Sequence, residues 1–416
     1  MNPERWRQQR RQTAVRHITK YRQLAEAHEG ADGMPVLQAE HDNLQTAVAH
    51  AIRQQQADEL QRLTWVLGRP FDGYMSRSGH WSELANLLQE SVALSEAQND
   101  LEIAAAFRAD LATVQMWQGK MAAARENYRA ALAILKTAEP APAIQTAIAA
   151  IYHHLGNLAQ QAADYRAARH HYQKALFLQR ALNNRSGIAK TLHQLGSLAA
   201  ASGNLEEARP FYEESLAISK ALSDHGQIAL TTWNLGNLAY RQGQLATAEQ
   251  NYYQALALFE ALDDQRNKAG VLHTLGQIAL DRGDVAAARH YAEESLTIKN
   301  QFGYRITQPT TLGLLGIITY AEDDGATAES LFQQAIALAT DMGAWQELNN
   351  QRFNLAMLYQ LQERLGEAVQ LLQSVVATAE QFGLPTLEEE REALARIQEK
   401  AARPRASAGE ADRDSS

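Results

Sequence analysis

His153, His193, Trp233 and His273 stand at one register, each forty residues after the last. Four residues further on runs a second series, Asn157, Ser197, Asn237 and Gln277. A spacing of four places both series on one face of a helix. The following turn adds Gln160, Gln161, Tyr240, Arg241, Asp281 and Tyr320, and Trp117 and Arg77 extend the set upstream. The chemistry of such a set is recognition. Carboxamides both donate and accept, so a column of them can bond the N–H and C=O groups of an extended chain. Histidine, tryptophan and tyrosine rings between them make pockets for side chains. Histidines in a column also suggest a metal ladder. Zinc, however, needs its ligands about 2 Å from one ion, whereas packed helix axes stand about 8–10 Å apart. His153, His193 and His273 are therefore not expected to share an ion. The neighbours His153-His154 and His170-His171 point to different helix faces and chelate poorly. No metal and no other cofactor is expected.

Catalytic patterns are absent from the sequence. There is no G-x-S-x-G elbow, no H-E-x-x-H and no glycine-rich phosphate loop. Glu206, Glu207, Glu213 and Glu214 fall on an outward helix and read as solvated surface. The expectation is a protein without enzymatic activity. The net charge of −9 disfavours a general nucleic-acid binder. Arg5, Arg7, Arg10, Arg11, Arg16 and Lys20 form the one basic run, which reads as a solvated helix face. With no cysteine there is neither a disulfide framework nor thiolate chemistry. Apolar runs are too short to span a membrane, and the basic N-terminus lacks the apolar core of a signal peptide. The expected compartment is the cytoplasm.

What positions the polar columns is a repeat. Leu155-Gly156, Leu195-Gly196, Leu235-Gly236, Leu275-Gly276 and Leu315-Gly316 step by forty, as do Ala168, Ala208, Ala248, Ala288 and Ala328. Gly203, Gly243 and Gly283 form a third ladder in the same phase, with Gly79 and Gly119 upstream. One supersecondary unit is stacked on itself many times. In residues 226–265, helix A spans about Gln227 to Gln242 and ends at Gly243. Helix B then runs to about Leu262, with apolar positions at three and four. Asp263-Asp264 closes the unit as a polar turn, like Asn183-Asn184 and Ser223-Asp224. A glycine inside a helix costs roughly 1 kcal/mol against alanine, so Gly236 implies a close approach of helix A to helix B near Ala248. Ala175, Ser215, Ala255, Ser295 and Ala335 are expected to contact the next unit. Units start near 58, 102, 146, 186, 226, 266, 306 and 346, eight in all, and Pro70 interrupts the first. The fold expected is an all-α α-solenoid. Residues 1–57 form a helical lead-in, 58–381 the repeats, 382–401 a capping helix and 402–416 a disordered tail.

The run W-N-L-G-N-L-A-Y-R-Q-G-Q-L-A-T-A-E-Q-N-Y-Y-Q-A-L, Trp233 to Leu256, resembles the tetratricopeptide-repeat (TPR) signature. The forty-residue period is similar to that of Pins-type adaptors and of bacterial STAND-type signal-transduction ATPases. The resemblance implies a right-handed superhelix with helix A lining a concave wall. It also implies that Asn157 and Asn237 clamp a peptide backbone. The segment L-Q-A-E-H-D-N-L-Q-T-A-V-A-H-A-I, Leu37 to Ile52, resembles the entry to the TPR arm of STAND-type regulators. No G-x-x-x-x-G-K-[ST] is found, so their NTPase switch is expected to be missing. The functional expectation is a scaffold binding a partner protein or extended peptide in the groove. Its rival is an inducer-sensing arm whose NTPase lies on another chain or has been removed. The sequence specifies no oligomeric state.

Overall fold

The computed structural model describes residues 3–402 apart from 31, 70–72 and 385, so the expectations for Pro70 and for the tail beyond 402 lie outside the described residues. Its described residues form twenty-one α-helices and one short 3-10 turn, with no strand. The chain divides into two compact units, Met1–Leu222 and Ser223–Ser416.

In the first unit, α1 (Pro3–Ala27) packs on α3 (His41–Arg53) and α4 (Ala57–Leu67), with the short α2 (Met34–Ala39) leading into α3. The one-turn α5 (Tyr74–Arg77) follows, then α6 (Trp81–Ala97), which packs on α4 and α7. Regular antiparallel pairs come next: α7 (Leu101–Trp117) with α8 (Met121–Leu135), α9 (Pro142–Gln161) with α10 (Tyr165–Ala181), and α11 (Arg185–Ala201) with α12 (Leu205–Ala221). The second unit holds four more pairs. They are α13 (His225–Arg241) with α14 (Leu245–Ala261), α15 (Gln265–Asp281) with α16 (Val285–Gln301), α17 (Gln308–Ala321) with α18 (Gly325–Asp341), and α19 (Trp345–Leu361) with α20 (Leu365–Phe382). A last helix, α21 (Leu387–Ala402), buries Ala393 and Ile397 and packs on α20. Each unit is an α-solenoid array of helix pairs. No helix among the described residues is long and apolar enough to cross a membrane.

Short polar residues start many of these helices. Asp164, Asn184, Asp224, Asp264, Asp284 and Asp324 each accept a hydrogen bond from the backbone N–H three residues on, satisfying a donor that the first turn leaves unpaired. The turn from helix A to helix B passes through the left-handed region at one fixed place. Gly243 sits there at φ +74°, and the equivalent Ala163 at φ +56°. Asp263 likewise has positive φ, as the polar closing turn requires.

The close approach at Gly236 has a specific partner. A Cβ at Gly236 would lie 2.5 Å from the ring of Tyr252 on α14 and 3.3 Å from the Ala248 carbonyl. Gly156 meets Tyr172, Gly196 meets Tyr212 and Gly316 meets Phe332 in the same way, at 2.5, 2.8 and 2.9 Å. Ala292 replaces the ring opposite Gly276, where the nearest atoms stand back at 3.2 and 3.3 Å. The column expected to contact the next unit bonds within its own pair at its serines. Ser215 Oγ donates to Ala189 O and Ser295 Oγ to Ala269 O, each 2.7 Å away on helix A of its own pair.

A left-handed residue other than glycine costs about 1–2 kcal/mol, partly offset by the larger unfolded-state entropy of glycine. Gly243→Ala should therefore destabilise by about 0.5–1 kcal/mol, and Ala163→Gly should leave stability unchanged or raise it. Urea midpoints of the two variants check this; a stabilising Gly243→Ala would contradict it.

Candidate functional site

The polar columns lie on the A helices, but their members are not equivalent. At 153, 233 and 273 the residue two before the ladder leucine is drawn into the contact with the next A helix of the same unit. His153 Nδ1 lies 3.0 Å from Thr191 Oγ1, and His193 is 8% exposed. In the second unit His273 Nδ1 lies 3.3 Å from Thr311 Oγ1, which also accepts from the buried Lys299 Nζ at 2.6 Å. Trp233 packs edge-on to Phe259, and its ring fills the space beside Gly270. Its indole N–H has no hydrogen-bond partner among the described residues. Burial holds these imidazoles in the neutral form. It pushes His153 down to about 3 and His154, His193 and His273 down to about 4. Burial likewise lowers Lys299 to about 8 and raises the Asp110 carboxyl on α7 to about 7. Neither Lys299 nor Asp110 stands out in the sequence, because nothing in the repeat register marks them.

The residue two after the leucine answers to the tyrosine seated on the glycine. Tyr172 Oη donates to Asn157 Oδ1 at 2.8 Å and lies 2.9 Å from the Gln160 amide. A hydroxyl carries one proton, so one of these two amides must offer its N–H instead. Tyr212 Oη donates to Ser197 Oγ at 3.1 Å and Tyr252 Oη to Asn237 Oδ1 at 2.7 Å. Asn237 Nδ2 donates to Asn234 Oδ1 at 3.2 Å. Burial pushes the Tyr172 and Tyr252 phenols, which face Asn157 and Asn237, well above their usual range.

The outer turn of the A helices is more open. Tyr240 is half-buried and donates to Asp281 Oδ2 at 2.5 Å; burial and that carboxylate push its phenol up to about 12. Tyr320 is half-buried against the Phe332 cluster, while Arg241 and Gln277 are exposed. In the first unit Asn157, Gln160, Gln161 and Gln194 line a cleft of about 450 Å3 with Met116 and Tyr172. On the B helices Glu207 and Glu214 pair with cations of the neighbouring pair, and Glu213 with Arg209 of its own helix. Arg169 reaches Glu207 at 2.7 and 2.8 Å, and Arg180 reaches Glu214 at 3.0 Å. The side chains of Arg5 and Arg7 lie outside the described residues.

Antiparallel helix pairs of forty-residue period, a glycine on helix A under a ring from helix B, and a polar A-helix face define a TPR protein. Residues 188–410 match the family model of the MalT-like TPR region, and the chain belongs to that family. Residues 147–221 match a second model, described as a tetratricopeptide repeat. No match to a curated protein sequence is found. Among solved structures, the chain is similar to the Rap conjugation gene regulator of plasmid pLS20 in complex with the Phr* peptide. The two are 15% identical over 83% of this chain and 96% of that one, with a TM-score of 0.60. It is similar to aspartyl phosphate phosphatase F from Bacillus subtilis, 12% identical over 80% and 91%, with a TM-score of 0.59. A STAND protein with a TPR sensor from Pyrococcus horikoshii is 14% identical, with a TM-score of 0.56. This chain is covered to 88% and spans 54% of that protein. These likenesses establish a shared fold.

The buried histidines carry a pH prediction. Their folded pKa values lie below the ordinary value of 6.5, so the unfolded chain takes up protons first. Their contribution is complete above about pH 6.5 and is lost as the pH falls toward 4. Each tenfold weakening of proton binding is worth roughly 1.4 kcal/mol. Stability measured by urea unfolding should therefore drop by several kcal/mol between pH 7 and 4. His154, stacked on Tyr128 at 5.3 Å, supplies the control. His154→Phe keeps the stack, cannot titrate, and should make the drop smaller; an unchanged drop would show that His154 does not contribute to it.

Proposed function

We propose that the chain binds a partner protein or an extended peptide on its A-helix face, and that the first unit's cleft at Asn157, Gln160, Gln161 and Gln194 is one place where it does so. The observation that carries this reading is the cleft itself, walled by four carboxamides and the Tyr172 phenol. An extended chain presents alternating N–H and C=O groups, and carboxamides answer both. In the second unit the same role falls to Trp233, Asn237, Tyr240, Arg241, Gln277 and Tyr320 on helices α13, α15 and α17; the Trp233 indole N–H is itself buried, so Trp233 would contribute its ring. His153 and His273 enter this reading as residues that hold neighbouring A helices in place, His193 as a buried residue of the A-helix packing, and Ser197 as one that fixes Tyr212. A protein-interaction or sensor role agrees with the family and with the fold shared with a peptide-bound Rap regulator and a STAND sensor. The scaffold or sensor acts by binding, without turnover of the ligand, in the cytoplasm.

Capture of partners from lysate on the intact chain, followed by cross-linking mass spectrometry, identifies the ligand. The double variant Gln161→Ala/Gln194→Ala should then weaken binding by about 1–3 kcal/mol, the cost of leaving polar groups unpaired in the complex. Asn157→Ala and Gln160→Ala are poorer probes, because both amides bond the buried Tyr172 hydroxyl and their loss affects folding. Glu206→Gln/Glu213→Gln on α12 should leave affinity unchanged. Binding that ignores the glutamines and responds to the α12 acids would place recognition on the opposite face.

A further inference from the structure

Outside the repeat columns, α3, α5 and α6 bring together His41, His80, Glu83 and Tyr74. His41 opens α3, His80 caps the start of α6, and Glu83 lies in the first turn of α6. His41 Nε2 is 3.1 Å from Glu83 Oε2, and His80 Nδ1 is 3.6 Å from the same oxygen. One ligand atom from each of the three lies within 4.8 Å of the others. We infer that His41, His80 and Glu83 form a binding site for a zinc-class divalent transition ion, clamping α3 to the start of α6.

The donor set is two imidazoles and a carboxylate, the mixture that borderline ions take. Bonds of about 2.0–2.1 Å in a tetrahedron put ligand atoms about 3.3 Å apart, and the two distances to Glu83 bracket that value. The surrounding groups are those a metal site needs. Tyr74 is 2% exposed, and its hydroxyl lies 3.0 Å from His41 Nδ1. With the Nδ1 proton directed at the phenol oxygen, the lone pair of Nε2 is left for an ion. Gln45 Nε2 donates to Glu83 Oε2 at 2.7 Å and fixes the carboxylate. One rearrangement is required. The His41 and His80 rings are stacked, with centroids 4.1 Å apart and planes at 16°, and stacked rings cannot aim two lone pairs at one point. His80, whose side chain is 27% exposed, has the freedom to tilt out of the stack. Three protein ligands leave a fourth position for water. Trp81 follows His80 directly and packs edge-on to Trp117 at 5.1 Å, so tilting of His80 is reported by tryptophan fluorescence.

The test is titration of the full chain, stripped with chelator, with zinc chloride at pH 7.5. Calorimetry should find one tight site per chain, and the thermal midpoint should rise with zinc. Glu83→Gln and His80→Ala, both folded by circular dichroism, should each weaken that site at least tenfold and abolish the thermal shift. Cobalt should compete with zinc and change the tryptophan emission in the wild type alone. Absence of a one-to-one site would overturn the assignment and leave the cluster a histidine–carboxylate contact. So would zinc binding equally strong in both variants, which would move the ion to other histidines of the chain.

Discussion

An aromatic ring seated against a helical glycine sets the separation of the two helices in most of the regular pairs. At Gly156, Gly196, Gly236 and Gly316 the ring occupies the volume a Cβ would need. The glycine gives up roughly 1 kcal/mol of helix propensity, and burial of a tyrosine or phenylalanine ring returns more than that. Tyr172 and Tyr252 are almost fully buried for this reason, and the hydroxyl of each has to find an acceptor. It finds the polar residue one place after the glycine on helix A. Packing and the polar column are thus the same contact seen from two sides.

This double duty determines what the A-helix face has left for a ligand. The oxygen of Asn157 or Asn237 is committed to a tyrosine, while His153 and His273, two places before the leucine, are spent on the next A helix. Preorganisation follows. An amide held by a buried phenol presents its remaining polar groups in a fixed direction, so a ligand does not have to order it. In the first unit those groups border open space, in the cleft shared with Gln161 and Gln194.

The helix pairs were legible because their punctuation is local. Glycine at a fixed step, a polar pair closing each unit, and a three-four apolar rhythm placed α13 and α14 to within two residues. That Gly236 marks a close approach was also readable, since nothing else justifies glycine inside a helix. What the glycine meets was not. Tyr252 lies on the other helix, and the ladder of small residues draws attention to Ala248 instead. The histidine column shows the limit of face arguments. Period four puts His153 and Asn157 on one face, yet that face is wide enough for one to touch the neighbouring A helix and the other its own B helix. His41, His80 and Glu83 carry no spacing signal at all. His41 precedes the repeats, His80 and Glu83 fall in the degenerate first one, and only the packing of α3 and α5 on α6 joins them.

The dependence of the array on ring and glycine is tested most directly by a double-mutant cycle on Gly236→Ala and Tyr252→Ala, read by urea unfolding. Each single change alone should destabilise, the first by collision and the second by cavity. Together they recreate the small-on-small arrangement of Gly276 and Ala292. The double variant should be more stable than the sum of the two losses implies, by about 0.5–3 kcal/mol of coupling. Strict additivity would mean that ring and glycine do not constrain one another, and would contradict the account.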